Sequence, residues 1–139
     1  MKQPKLYFHD TGLACSLLGL DAQDRLSTHY LRGGLFENFV IPELRKMRLH
    51  QARQPGMFFW RDNSGTEVDL ILDRGAQLTA VEIKSGSTCH AEFTRSLEKF
   101  ERYSGLDTQR SHIVYGGDDS FAARRIWSWR DLPALDELL

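Results

Sequence analysis

Two alternating runs separated by a tight turn constrain this chain more than any other feature. Glu67–Asp73 (EVDLILD) and Gln77–Lys84 (QLTAVEIK) flank Arg74-Gly75. In a strand, residues two apart share a face. Val68, Leu70 and Leu72 therefore join Val81 and Ile83 in one apolar face. Glu67, Asp69 and Ile71 share the other with Ala80, Glu82 and Lys84. A two-residue turn at Arg74-Gly75 predicts Asp69 opposite Ala80 and Glu67 opposite Glu82. Asp69 and Glu82 are then diagonal neighbours, about 7–8 Å apart. Two acids and a lysine converging on one face of a hairpin suit a divalent metal and a phosphodiester. The plainer alternative is a solvated face, for which acid alternating with aliphatic is the usual pattern. Three details favour a site. Glu67 facing Glu82 is repulsive without a cation, Lys84 ends its strand on the same side, and Glu37 lies near the edge of the apolar stripe of a preceding helix.

The hairpin sits within a readable order of elements. Lys5–Asp10 (KLYFHD) suggests a short strand or an extended lead-in. Thr11–Gly19 reads as a short helix capped by Asp10 or Thr11, and Leu20–Tyr30 as a polar connection. A long helix is expected from about Gly34 to His50, with Leu31, Leu35, Phe36, Phe39, Val40, Leu44 and Met47 facing a core. Pro42 is expected to kink it or force a local irregularity. Met57–Arg61 (MFFWR) is a strand, and the Asp62–Gly65 turn leads into the hairpin as an antiparallel meander. Ala91–Tyr103 reads as an amphipathic helix ended by Gly105, with Phe93, Leu97, Phe100 and Tyr103 inward. Ser111–Tyr115 is a fourth strand and Ala123–Trp129 a fifth. Asp131 would cap a last short helix containing Leu135 and Leu138. This order predicts an α/β fold: a central mixed sheet with an antiparallel hairpin meander, flanked by helices.

Composition narrows the class. With 139 residues, 41% of them hydrophobic, the chain can bury a real core. A net charge of −1 excludes a uniformly basic coat but not a local patch. One basic stretch is visible: Arg45, Lys46, Arg48, Arg53 and Arg61 stand against the single acid Glu43. It is a candidate nucleic-acid surface or a solvated helix face. Cys15 and Cys89 stand far apart and form no CxxC pair, so both are expected to be reduced. The histidines show no zinc-ligand spacing. No run of 18 apolar residues and no signal sequence is present, so a soluble cytoplasmic protein without membrane contact is expected.

Glu82-Ile83-Lys84 resembles the acid-any-lysine half of the PD-(D/E)XK nuclease signature, and Asp69 resembles its preceding aspartate. The element order is similar to the restriction-endonuclease-like α-β-β-β-α-β core of that superfamily. More narrowly, the chain resembles the uncharacterised nuclease-like domain at the C-terminus of many prokaryotic AAA+ ATPases. The matching stretches are KLYFHDTGLACSLLGL, GGLFENFV, FFWRDNSGTEVDLIL and AVEIKSG. The resemblance implies residues 1–30 as a connecting segment following an ATPase part, and residues 31–139 as the nuclease-like domain. It further implies a metal-dependent DNA endonuclease in which Asp69, Glu82, Glu37 and the Ile83 carbonyl hold Mg²⁺ or Mn²⁺. Lys84 would position a water or stabilise charge on the phosphate. Arg45, Arg48, Arg53 and Arg61 would contact DNA. Two departures stand out: Val68 occupies the place of the signature proline, and no GxxxxGK[ST] loop is present.

Several alternatives remain open at this level. Glu67 competes with Asp69 as the strand ligand, since both share a face. Trp60 and Arg61 would line a nucleic-acid groove or end a half-buried strand. Trp127 and Trp129 read as packing residues. The same fold would also serve as a binding module for DNA or a protein partner without cutting. A glycosidase using the carboxylates as acid and base gives Lys84 no role. The sequence leaves self-association into a homo-oligomer open.

Overall fold

The computed structural model describes residues 4–54, 56–75, 77–105, 107 and 110–139. After an extended arm come helices α1 (Thr11–Leu17), α2 (Gln23–Thr28) and α3 (Arg32–His50). Strands β1 (Met57–Arg61), β2 (Glu67–Asp73) and β3 (Leu78–Lys84) follow. A 3₁₀ turn leads into α4 (Arg95–Ser104), then β4 (Ser111–Tyr115), β5 (Ile126–Ser128) and α5 (Leu132–Leu138). The strands lie side by side in sequence order. β1–β2 and β2–β3 are antiparallel, while β3–β4 and β4–β5 are parallel. The mixed α/β architecture is the one expected. No helix among the described residues is long and apolar enough to cross a membrane.

Alternation within the strands feeds two cores. Leu70, Leu72, Val81, Ile83, Val114 and Trp127 pack against Val40, Ile41 and Leu44 of α3 and Leu132 and Leu135 of α5. On the opposite face Ile71, Ala80, Ile113 and Tyr115 meet Leu97 and Phe100 of α4. Both faces of the sheet are thus covered. The face carrying Ile71 and Ala80, read from the sequence as the acidic side, is mostly core.

Val68 breaks the alternation. It was expected beside Leu70 and Leu72 but packs with Ile71 and α4. The cause is a register slip: Phe58 pairs with Ile71 but Trp60 with Val68, so β2 spends one residue more than β1 between those pairs. Such a bulge bends a strand and re-aims side chains. The hairpin register also differs from expectation by two residues. Leu70 faces Val81, Ile71 faces Ala80 and Asp73 faces Leu78, with Arg74 N–H bonded to the Gln77 carbonyl at 3.0 Å. The turn lies one residue later than a centre on Arg74-Gly75, and a shift of two preserves the faces of β3.

Helix α3 runs unbroken through Pro42, which is buried. Proline has no N–H for the carbonyl four residues back, and that carbonyl belongs to Asn38. The Thr11 hydroxyl donates to it at 3.0 Å. The Asn38 side chain then clips the arm. Its Oδ1 accepts from Phe8 N–H at 2.7 Å, and its Nδ2 donates to the Phe8 carbonyl at 3.1 Å and to Thr11 Oγ1 at 3.1 Å. The arm is extended rather than a sheet strand.

Other boundaries moved for local reasons. The polar connection after Leu20 contains α2, and α3 begins at Arg32. The helix read from Ala91 starts as a 3₁₀ turn, Ala91–Thr94, and Gly105 ends α4 in the left-handed conformation (φ 69°). The fifth strand is only Ile126–Ser128. Tyr103 and Leu138 are exposed, and Asp131 makes no side-chain cap. Both cysteines are free thiols, Trp127 is buried in the core, and Trp60 packs edge-on to Phe100 at 5.3 Å.

Candidate functional site

The β2 bulge decides which way the acids point. Val68 faces α4, so its neighbours Glu67 and Asp69 turn to the α3 side. There they meet Glu37. Oxygens of Glu37, Glu67 and Asp69 lie within 4.8 Å of one another. Glu82 is not one of this trio. It alternates with Val81 and Ile83 in β3, and Lys84 Nζ bonds its Oε1.

Asp69 links the two strands. The β2–β3 ladder ends at Leu70–Val81, and beyond it Asp69 Oδ2 accepts from the Ile83 N–H at 2.8 Å. A side chain thus stands in for a backbone ladder partner. Burial, then the Glu82 and Glu37 charges, push the Asp69 carboxyl up to about 7. The Ile83 N–H and Lys84 oppose the rise. Burial likewise raises Glu82, which is 3% exposed, against the pull of Lys84. Its second oxygen, Oε2, is buried without a hydrogen bond of regular geometry, although the Ser96 hydroxyl is near enough to favour the charged form. Burial resists ionisation of both the half-buried Asp69 and the buried Glu82.

Two arm residues that sequence reasoning did not select enter the cluster. Lys5 Nζ donates to Glu37 Oε1 at 2.7 Å, contacts Glu67, and lies 3.7 Å from Asp69 Oδ1. Burial works against its charge, but the carboxylates outweigh it and its pKa is raised. Its ammonium also stands 5.4 Å from the Phe59 ring centroid. The Tyr7 hydroxyl donates to the same Glu37 oxygen. Burial and that carboxylate hold the phenol far above its usual pKa. The signal was faint: Lys5 and Tyr7 are two apart in an extended run and so share a side. Nothing local ties that side to a helix thirty residues on.

Of the predicted acids, Glu37 and Asp69 come together with Glu67 added, while Glu82 stands outside that trio. Asp69 feels the charges of Glu82 and Glu37, and Glu82 feels that of Glu37. Ile83 meets the site through its N–H. The donors are all carboxylate oxygens, the chemistry that suits Mg²⁺ or Mn²⁺ over softer metals.

The predicted basic patch is a different matter. Arg48 is 3% exposed, so it cannot touch a phosphate without leaving the core. Its Nη2 donates to the Gln54 carbonyl at 3.2 Å. Arg53 Nη1 donates to the Asp136 carbonyl of α5 at 3.2 Å. Arg61 pairs with Glu67. Only Arg45 of the four is both exposed and outside these contacts. Arg45 and Arg48 are three apart and so neighbours on α3, yet one is exposed and the other buried at the edge of the core, a difference the sequence spacing conceals.

The chain is 32% identical over 122 residues to uncharacterised proteins of Mycobacterium bovis and Mycobacterium tuberculosis, a stretch covering 86% of the chain but 25% of each relative. It therefore spans about a quarter of the length of the curated relatives it matches. No solved structure gives a significant match. Residues 32–135, which include α3, the whole sheet and every carboxylate of the cluster, match the family described as Domain of unknown function (DUF4143), and the chain belongs to that family.

Proposed function

We propose that this domain is a metal-dependent phosphodiesterase of the PD-(D/E)XK nuclease kind, acting on DNA. One observation carries the reading. Asp69, half-buried, and Glu82, buried, stand on adjacent strands with raised pKa; Glu37 and Glu67 converge on Asp69, and Lys84 bonds Glu82. Apposed acids that resist ionising destabilise an empty site and favour a multivalent cation. Asp69, Glu67, Glu37 and Glu82 would hold Mg²⁺ or Mn²⁺, with the Ile83 carbonyl as a further candidate ligand. When bound, that ion supplies a Lewis acid for the phosphate and an acidified water. Lys84 sits on Glu82 and would turn its ammonium to the water or to the non-bridging phosphate oxygen. The Ile83 N–H fixes the Asp69 rotamer, keeping one carboxylate oxygen toward the cluster.

The relatives are about four times longer than the matched stretch, which leaves room for an attached module. An AAA+ ATPase part is the partner we propose, in a cytoplasmic setting. Incubation of the protein with supercoiled plasmid and single-stranded DNA, in Mg²⁺, Mn²⁺ or EDTA, tests the reading. Metal-dependent nicking is expected from the wild type, with Asp69→Ala and Lys84→Ala slower by about a hundredfold or more. Absence of both cutting and metal binding would sink it. In that case the second reading takes over, a nuclease-fold binding module. Its supporting observation is that Lys5 already occupies the acidic cluster from within the chain.

A further inference from the structure

We propose that Lys5 is a tethered competitor for the divalent ion: its ammonium occupies the place where the oxygens of Glu37, Glu67 and Asp69 converge, and a metal binds there only as Lys5 withdraws. The inference rests on the proposed metal site and adds a control over its loading.

Geometry makes the two cations mutually exclusive. The ammonium contacts both Glu37 and Glu67 and lies 3.7 Å from Asp69 Oδ1. A divalent ion bound by these oxygens needs contacts of about 2.0–2.1 Å for Mg²⁺. It would stand against a like charge at the same lone pairs, in a site where burial weakens solvent screening. The acids are also too many for one lysine. Glu37, Glu67 and Asp69 face Lys5, with Arg61 sharing Glu67 and Lys84 sharing the neighbouring Glu82. Lys5 therefore holds the cluster without saturating it, and Glu82 Oε2 remains without a regular hydrogen bond.

The arm is built so that its end can leave while its base stays. Asn38 clips Phe8 through both backbone groups, and Thr11 is bonded to Asn38. Before that clip, the contacts of Lys5 and Tyr7 with the cluster are side-chain contacts. Leu6, between them, is 91% exposed and packs on nothing that would resist movement. A lysine stem has several rotatable bonds, so the ammonium can swing out past the Phe8–Asn38 clip. The clip then returns it at high effective concentration once the metal departs.

Titration of the full chain with Mn²⁺ alone, followed by electron paramagnetic resonance of the free ion at pH 7.5, is the test. Lys5→Met keeps the stem and removes the charge, and is expected to bind Mn²⁺ at least about tenfold more tightly than wild type. Lys5→Arg keeps the charge and is expected within a few-fold of wild type. Acetylation of the Lys5 amine, read by mass spectrometry on the wild type, needs no variant to fold. It is expected to accelerate severalfold when saturating Mg²⁺ is added. Equal or weaker Mn²⁺ binding by Lys5→Met, or acetylation indifferent to Mg²⁺, overturns the competitor while leaving the metal site standing. No Mn²⁺ binding by either protein overturns the metal site and the competitor with it.

Discussion

Asp69 answers to three neighbours at once: it caps the Ile83 N–H, faces the charge of Glu82, and lies within reach of Lys5. Its carboxyl titrates near 7 in the folded protein, against about 3.9 in an unfolded chain. The folded state therefore binds this proton more tightly. The associated stability is present below about pH 4 and is lost as pH rises towards 7. Asp69→Asn is neutral at every pH and can still accept from Ile83. In metal-free buffer it should be more stable than wild type by roughly 1–3 kcal/mol at pH 8, converging near pH 4. Urea unfolding across that range checks it, and a wild-type advantage at pH 8 would remove the strained-acid account. Asp69 and Glu82 were legible as acids on adjacent strands, but not their faces: the β2 bulge turns Asp69 to the α3 side, off the face it was read to share with Ile71, Ala80, Glu82 and Lys84. Lys5 was not legible, because the fold alone brings an arm residue onto α3 and β2. Arg48 was misread because charge in a sequence suggests water, and here Arg48 lies buried and bonded to a backbone carbonyl.

Among the elements, α3 shows how a defect can be converted into an anchor. Pro42 frees the Asn38 carbonyl, Thr11 satisfies it, and the same asparagine holds Phe8. The helix continues through Pro42, and a side chain from α1 supplies the missing donor. Thr11→Val removes that hydroxyl at nearly constant shape and should lose about 1–2 kcal/mol. Pro42→Ala restores an N–H that can reach the Asn38 carbonyl, so it should recover part of the loss. A coupling of at least about 0.5 kcal/mol in the double-mutant cycle is expected. Strict additivity in thermal or urea unfolding would disconnect the two residues. The hairpin register erred by two because Arg74-Gly75 marks a turn without fixing its centre. The β2 bulge left no trace in the pattern, since Val68 is apolar and suits either core.

At the scale of the molecule, a sheet covered on both faces draws part of the predicted basic stretch into packing. The chain carries a net charge of −1, and Arg48 and Arg53 serve packing around α5. The proposed DNA contact on this side thus falls mainly to Arg45. Arg45→Ala should leave stability within about 0.5 kcal/mol and reduce the salt slope of DNA binding by about one. Arg48→Ala should instead lose about 1–3 kcal/mol of stability without a change in that slope. Fluorescence anisotropy across a salt series, beside urea unfolding, separates the two. An equal drop in slope for both would restore the basic patch. The layer order was legible from the sequence, because helix, three strands, helix and strand admit few arrangements. The placement of charge on those layers was not, because it depends on how each helix is rotated about its own axis.

The single extra residue in β2 divides that strand into two reading frames. Upstream of it, odd-numbered positions look toward α3; downstream, they look toward α4. Packing and chemistry thus occupy one strand without competing for the same positions. A redesign that ironed out the irregularity for the sake of a smoother sheet would keep hydrophobic residues available to both cores. It would also rotate Glu67 and Asp69 away from Glu37, leaving a well-folded protein whose acids no longer meet.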